Sequence, residues 1–122
     1  MSKETIYRWG PTVALMGAIF FLSTTSRPPT LVPLKQGDKL LHLCAYATLA
    51  FSLCYSLRNR VSAWRNSCLT GIAVSLYGFS IEICQIYCSR CFEWADVMAN
   101  ASGSVVGCFL WHLFRRFLLN EK

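Results

Sequence analysis

Three side chains able to move a proton or hold a cation, His42, Glu82 and Asp96, stand in stretches otherwise almost free of charge. An imidazole beside a carboxylate can serve as a general acid–base pair, and a histidine with two carboxylates is a donor set that a divalent metal accepts. Their neighbours follow helical spacing. Asp38, His42 and Tyr46 recur at i, i+4 and i+8, Asp96, Asn100, Gly103 and Gly107 form a second stripe, and Glu82 and Gln85 lie three apart. Lys39 and Arg90 stand close by in sequence, with the charge to attract a phosphate or carboxylate.

Each residue also has a plainer explanation. Asp38 and Asp96 open predicted helices, where a carboxylate caps free N–H groups and suits the dipole. Asn100 reads equally well as glue between helices, Gly103-x-x-x-Gly107 as a close-packing face, Tyr46 as a packing anchor, and His42 with Glu82 as a satisfied pair. Glu82 resists this treatment best, because an ionisable group inside a membrane span marks a functional site by default. Taken together, the residues favour a site.

The elements that must position them are read from the charge distribution. Charged residues are only 15% of the 122, and the hydrophobic fraction is 54%. Arg8 and Arg27 enclose 18 uncharged residues, Lys39 and Arg58 another 18, and Asp96 and Arg115 a third 18. At helical rise each gap spans roughly 27 Å, the thickness of a bilayer core. The gap from Arg65 to Arg90 is longer and carries one charge, Glu82. A soluble amphipathic helix would carry charge on its wet face every three or four residues.

The expected fold is therefore all-α: one domain, 1–122, as a polytopic bundle of four transmembrane helices over about 9–26, 39–57, 67–87 and 96–118. The first span follows Lys3 and Arg8 as a signal peptide would, but it is long for one and lacks a cleavage site, so it reads as a retained helix. The short segment after the fourth span predicts no attached soluble domain.

Orientation follows from Lys and Arg. The N-terminus, middle loop and C-terminus carry eight (Lys3, Arg8, Arg58, Arg60, Arg65, Arg115, Arg116, Lys122) and the other side four (Arg27, Lys35, Lys39, Arg90), which predicts both termini in the cytoplasm. The pI near 9.1 then reflects topology, and no contiguous basic patch points to nucleic acid. On this topology His42, Glu82 and Asn100 all lie roughly 6–8 Å below the outer helix ends, one layer supplied by three helices. Polar groups in hydrocarbon are costly, so the three stripes should face each other. Cys44, Cys54, Cys68, Cys84 and Cys108 read as small apolar packers, His112 as interfacial, and Cys88-x-x-Cys91, on the outer side, as a pair that an oxidising compartment would allow to form a disulfide.

In this order the motifs resemble the VanZ-like family of small bacterial membrane proteins. The matching segments are Phe20-x-x-Ser23, Asp38-Lys39-x-x-His42-x-x-x-Tyr46, Glu82-x-x-Gln85, Arg90 followed by Glu93-Trp94-x-Asp96-Val97, and Asn100-x-x-Gly103-x-x-x-Gly107. They cover nearly the whole chain, with one departure at Glu93, where relatives often have Asp or Ser. The resemblance implies a multi-pass protein of the bacterial cytoplasmic (inner) membrane. It supplies no reaction, although the family takes its name from a member linked to resistance to the glycopeptide teicoplanin.

The leading expectation is a module that binds or handles a polar, anionic headgroup at the outer leaflet, such as a phospholipid or a lipid-linked envelope precursor. Its ligand-binding residues would be Asp38, Lys39, His42, Tyr46, Glu82, Gln85, Arg90, Asp96 and Asn100, with Gly103 and Gly107 packing helices. No nucleic acid, cofactor or resident metal is expected. One alternative is an intramembrane enzyme with His42 and Glu82 as catalytic candidates, whose metal-assisted form would use His42, Glu82 and Asp96 as ligands. Another is a small accessory subunit whose small-residue face on the fourth helix supports a homodimer or a membrane partner.

Overall fold

The computed structural model describes residues 2–24, 37–58, 60–87 and 94–117, without the side chains of Gly37 and Asp38. They form four helices: α1 (Lys3–Thr24), α2 (Gly37–Leu57), α3 (Ala63–Ile86) and α4 (Trp94–Phe117), with no strand among the described residues. Three of them, Lys39–Leu57 within α2, α3 and α4, are long and apolar enough to cross a bilayer. The described part of α1 falls outside that set, because it carries Lys3, Glu4, Arg8 and Pro11 in its first half.

The helix ends differ from the sequence expectation for local reasons. α1 begins six residues early, at Lys3 rather than Trp9, where the Ser2 hydroxyl accepts from the Thr5 amide. It then runs through Pro11, whose missing N–H removes one backbone bond. α3 begins at Ala63 rather than Ser67 because Ser62, in extended conformation, caps it by accepting from the Arg65 amide. Asp96 does not open α4 but sits in its first turn. A charge boundary marks where lipid begins, whereas a cap marks where the helix begins.

The packing is inverted relative to a soluble domain. Thr12, Ser52, Ser56, Asn66, Thr70, Glu82, Gln85, Asp96, Asn100 and Ser104 are buried, while Phe21, Ile72, Leu76, Met98, Val105 and Phe109 are exposed. Such an apolar exterior suits contact with acyl chains and would be a liability in water. Contacts at the helix ends show that α1 and α3 run one way and α2 and α4 the other. Thr12 of α1 meets Ser52 and Ser56 near the end of α2, and Lys39 and Asp96 meet at the starts of α2 and α4.

α2 touches all three other helices and packs most intimately against α4. Gly103 and Gly107 make that approach possible. A Cβ at Gly103 would lie 2.5 Å from the Leu43 carbonyl oxygen, and one at Gly107 would overlap the Ala47 carbonyl. The small-residue stripe of α4 is thus occupied by α2, and a dimer through that face would have to displace it. Beyond it, Trp111 closes the core with its ring edge-on to Phe51 at 5.6 Å and Tyr55 at 6.0 Å.

At the end opposite His42 and Asp96, a second set of buried polar contacts links the helices. Thr12 bonds Ser52 (2.8 Å) and Ser56 (2.9 Å), and the single hydroxyl proton of Ser56 has the Arg8 (2.8 Å) and Ser52 (3.0 Å) carbonyls within reach. Asn66 of α3 donates to the Cys54 carbonyl of α2 (3.0 Å) and accepts from Thr70. The Arg8 guanidinium reaches the Arg58 carbonyl. Ser56→Ala removes the hub that joins α1 to α2. We expect it to cost about 1 kcal/mol, within the range of interhelical hydrogen bonds in membranes, as read by reversible unfolding in mixed detergent micelles; wild-type stability would show the contact to be dispensable.

Candidate functional site

The three stripes converge. His42 of α2, Glu82 of α3 and Asp96 of α4 each present a donor atom within 4.8 Å of the other two. Glu82 is fully buried and Asp96 is 5% exposed. Such burial is costly for carboxylates unless they are partnered.

Lys39, one helical turn from His42, places its ammonium 3.0 Å from Oδ1 of Asp96. The other carboxylate oxygen, Oδ2, faces Nε2 of His42 at 3.9 Å, beyond hydrogen-bond length. On the far side of the imidazole, Nδ1 lies 2.9 Å from Oδ1 of Asn100. With the amide oxygen turned towards the ring, Nδ1 is the nitrogen that donates, and Nε2 is the one directed at Asp96.

Tyr46 lies one turn deeper, its ring parallel to that of His42 at 6.3 Å between centroids. It is 1% exposed, and neither its hydroxyl nor the Asn100 amide nitrogen has a hydrogen-bond partner among the described residues. Gly78 of α3, which the sequence reading passed over, makes room for both. A Cβ there would lie 2.8 Å from Nδ2 of Asn100 and 3.0 Å from the Tyr46 ring.

Gln85 behaves differently. It is buried, yet it donates to the Ser23 carbonyl at the end of α1 (2.9 Å), so it ties α3 to α1 at the edge of the cluster. Lys39, His42, Tyr46, Glu82, Asp96 and Asn100 are brought into one neighbourhood, with Gln85 beside it. Arg90, Cys88 and Cys91 lie outside the described residues, as does the side chain of Asp38.

His112 is more than interfacial: its Nε2 lies 2.5 Å from the Ser67 hydroxyl and joins α4 to α3 far from the cluster. Of the span cysteines, Cys54 and Cys108 are buried with their sulfurs 3.8 Å apart, whereas Cys44, Cys68 and Cys84 are exposed. The second polar layer was also missed, although Ser52 with Ser56 and Asn66 with Thr70 are i, i+4 pairs that the sequence displays.

The arrangement can donate and accept hydrogen bonds at a buried point and can present an imidazole and two carboxylates to one ion. No curated protein and no solved structure matches the chain. A family model described as VanZ/LLP1 matches residues 8–115, from Arg8 at the start of α1 to Arg115 near the end of α4. The polar cluster lies wholly within that match, and the chain belongs to the VanZ/LLP1 family.

Proposed function

We propose that this protein binds or handles the polar headgroup of a membrane lipid or lipid-linked envelope precursor, in the cluster formed by α2, α3 and α4. The observation that carries this reading is the convergence of His42, Glu82 and Asp96 from three helices, together with buried hydrogen-bonding atoms of Tyr46 and Asn100 that have no partner among the described residues. A purely structural layer would satisfy its own donors, as buried polar groups ordinarily do.

The excess of Lys and Arg at the opposite ends of the helices supports an outer-leaflet position, with both termini in the cytoplasm. Family membership supports a bacterial cytoplasmic membrane and makes handling of envelope precursors, and through them glycopeptide resistance, the natural context. Arg90 and Lys39 supply cationic charge for an anionic headgroup, although Lys39 already holds Asp96.

Native mass spectrometry of the detergent-purified protein tests this. A co-purified lipid is expected, and Arg90→Ala should deplete it by roughly tenfold, the worth of one charge-assisted hydrogen bond. An unaltered lipid profile in that variant counts against the reading. The accessory-subunit reading makes the contrary prediction for Glu82→Gln: function kept, with modest loss of stability at most.

A further inference from the structure

The geometry points to a divalent metal ion of the zinc class held by His42 Nε2, Glu82 and Asp96 Oδ2, with its remaining coordination positions open to an oxygen of the headgroup. The headgroup half of this statement rests on the function proposed above; the metal half stands on the donor set alone.

Three features of the cluster suit an ion. The first is spacing. Nε2 and Oδ2 are 3.9 Å apart, too far for a hydrogen bond to each other. Two ligands that each lie about 2.0–2.2 Å from a shared tetrahedral zinc ion are about 3.3–3.6 Å apart, so this pair stands within about half an ångström of that spacing. The widest pair in the cluster, at 4.8 Å or less, closes on the same point if its side chains draw in by up to about 1 Å.

The second feature is orientation. A metal-bound histidine almost always hands its other ring N–H to an acceptor, which fixes tautomer and ring plane. Asn100 Oδ1 takes that part at 2.9 Å from Nδ1. Asp96 is likewise held from behind, with Lys39 on Oδ1, so that Oδ2 is the oxygen turned towards the imidazole. Both ligands are oriented before any ion arrives.

The third feature is electrostatic and chemical. Glu82 and Asp96 bring two carboxyl groups together in a buried setting, and a dication favours both in the charged form that ligates it. It also changes what the site attracts. Two carboxylates set against Lys39 weaken its pull on an anionic headgroup; a dication added among them strengthens that pull. Three protein ligands leave at least one position open, as in zinc sites that bind substrate. Tyr46, 1% exposed and with a hydroxyl that has no partner among the described residues, stands one turn deeper beside the imidazole, with a hydrogen bond to offer an incoming oxygen or a metal-bound water.

The full-length protein, purified in detergent and stripped with a chelator, is titrated with Zn2+ alone by calorimetry, and with Co2+ followed by visible absorption. One ion per chain is expected, with a Co2+ spectrum of nitrogen and oxygen ligands that lacks a thiolate charge-transfer band. His42→Ala and Glu82→Gln should each weaken binding by more than about 100-fold, beyond what loss of a supporting contact costs, whereas His112→Ala should not. The proposal is overturned by the absence of stoichiometric binding, by binding that survives both substitutions, or by a thiolate band placing the ion on cysteine. Should either variant fail to fold, Asp96→Asn, which keeps its volume, and the Co2+ spectrum of the unaltered protein still decide. Lipid analysis separates the two readings: bound Zn2+ without a co-purified headgroup sinks the headgroup reading alone, and a headgroup retained by protein that binds no Zn2+ sinks the metal alone.

Discussion

Gly107→Val should be the most damaging single substitution in the chain. Its first added carbon would overlap the Ala47 carbonyl and crowd the Ala50 methyl, both on α2. Neither can step aside, because one is backbone within a helix and the other is a side chain with no rotamers. The two helices would have to separate along their most extensive contact. Overpacking of this kind costs about 3 kcal/mol, and in a membrane the lost close approach is not recovered by a hydrophobic drive between helices. The expected result is a protein that inserts as helices but does not hold its tertiary packing. It would migrate as aggregate in detergent gel filtration and would show far-ultraviolet helicity with no cooperative melt. A sharp melt near the wild-type temperature would mean that α2 and α4 are further apart than described.

The same pair of helices shows what could be read in advance. Gly103-x-x-x-Gly107 was legible as a packing face because small residues four apart admit a close neighbour. The identity of that neighbour was not, since three other helices were available and spacing says nothing about which one arrives. The His42–Tyr46 and Asp96–Asn100–Gly103 parts of the stripes were legible from helical spacing, and depth along each helix put His42, Glu82 and Asn100 at one level. The finer pairing needed coordinates: Asn100 bonds His42 rather than Glu82's neighbourhood at large, and Gln85 turns to Ser23 of α1.

What escaped the sequence is of two kinds. Ser52, Ser56, Asn66 and Thr70 were visible at helical spacing, but hydroxyls and amides near span ends look like ordinary interfacial residues until their partners are known. Gly78 could not have been found by pattern. It lies alone in α3, and its importance comes from what other helices place against it, namely the Asn100 amide and the Tyr46 ring.

Gly78 therefore allows the site to be disturbed without unfolding the protein. In Gly78→Ala the new methyl would meet Nδ2 of Asn100 at 2.8 Å and the Tyr46 ring at 3.0 Å. Unlike the backbone that faces Gly107, the amide is the far end of a side chain and can rotate away, while the Asn100 Cβ and the Tyr46 ring, each at 3.0 Å, need to yield by only a little. Moving it takes Oδ1 from His42 Nδ1, which releases the ring plane and the proton position that the hydrogen bond fixes. Loss of such a supporting contact typically lowers metal affinity by 10- to 100-fold. The expected outcome is a split: Zn2+ binding weakened by about that factor, with the melting temperature lowered by only a few degrees. Asn100→Ala should reproduce the affinity loss, and in the double variant the two effects should not add, because both act through the same hydrogen bond. Full additivity, or a Gly78→Ala protein that binds Zn2+ like the wild type, would separate Asn100 from His42 and leave the imidazole without the support claimed for it.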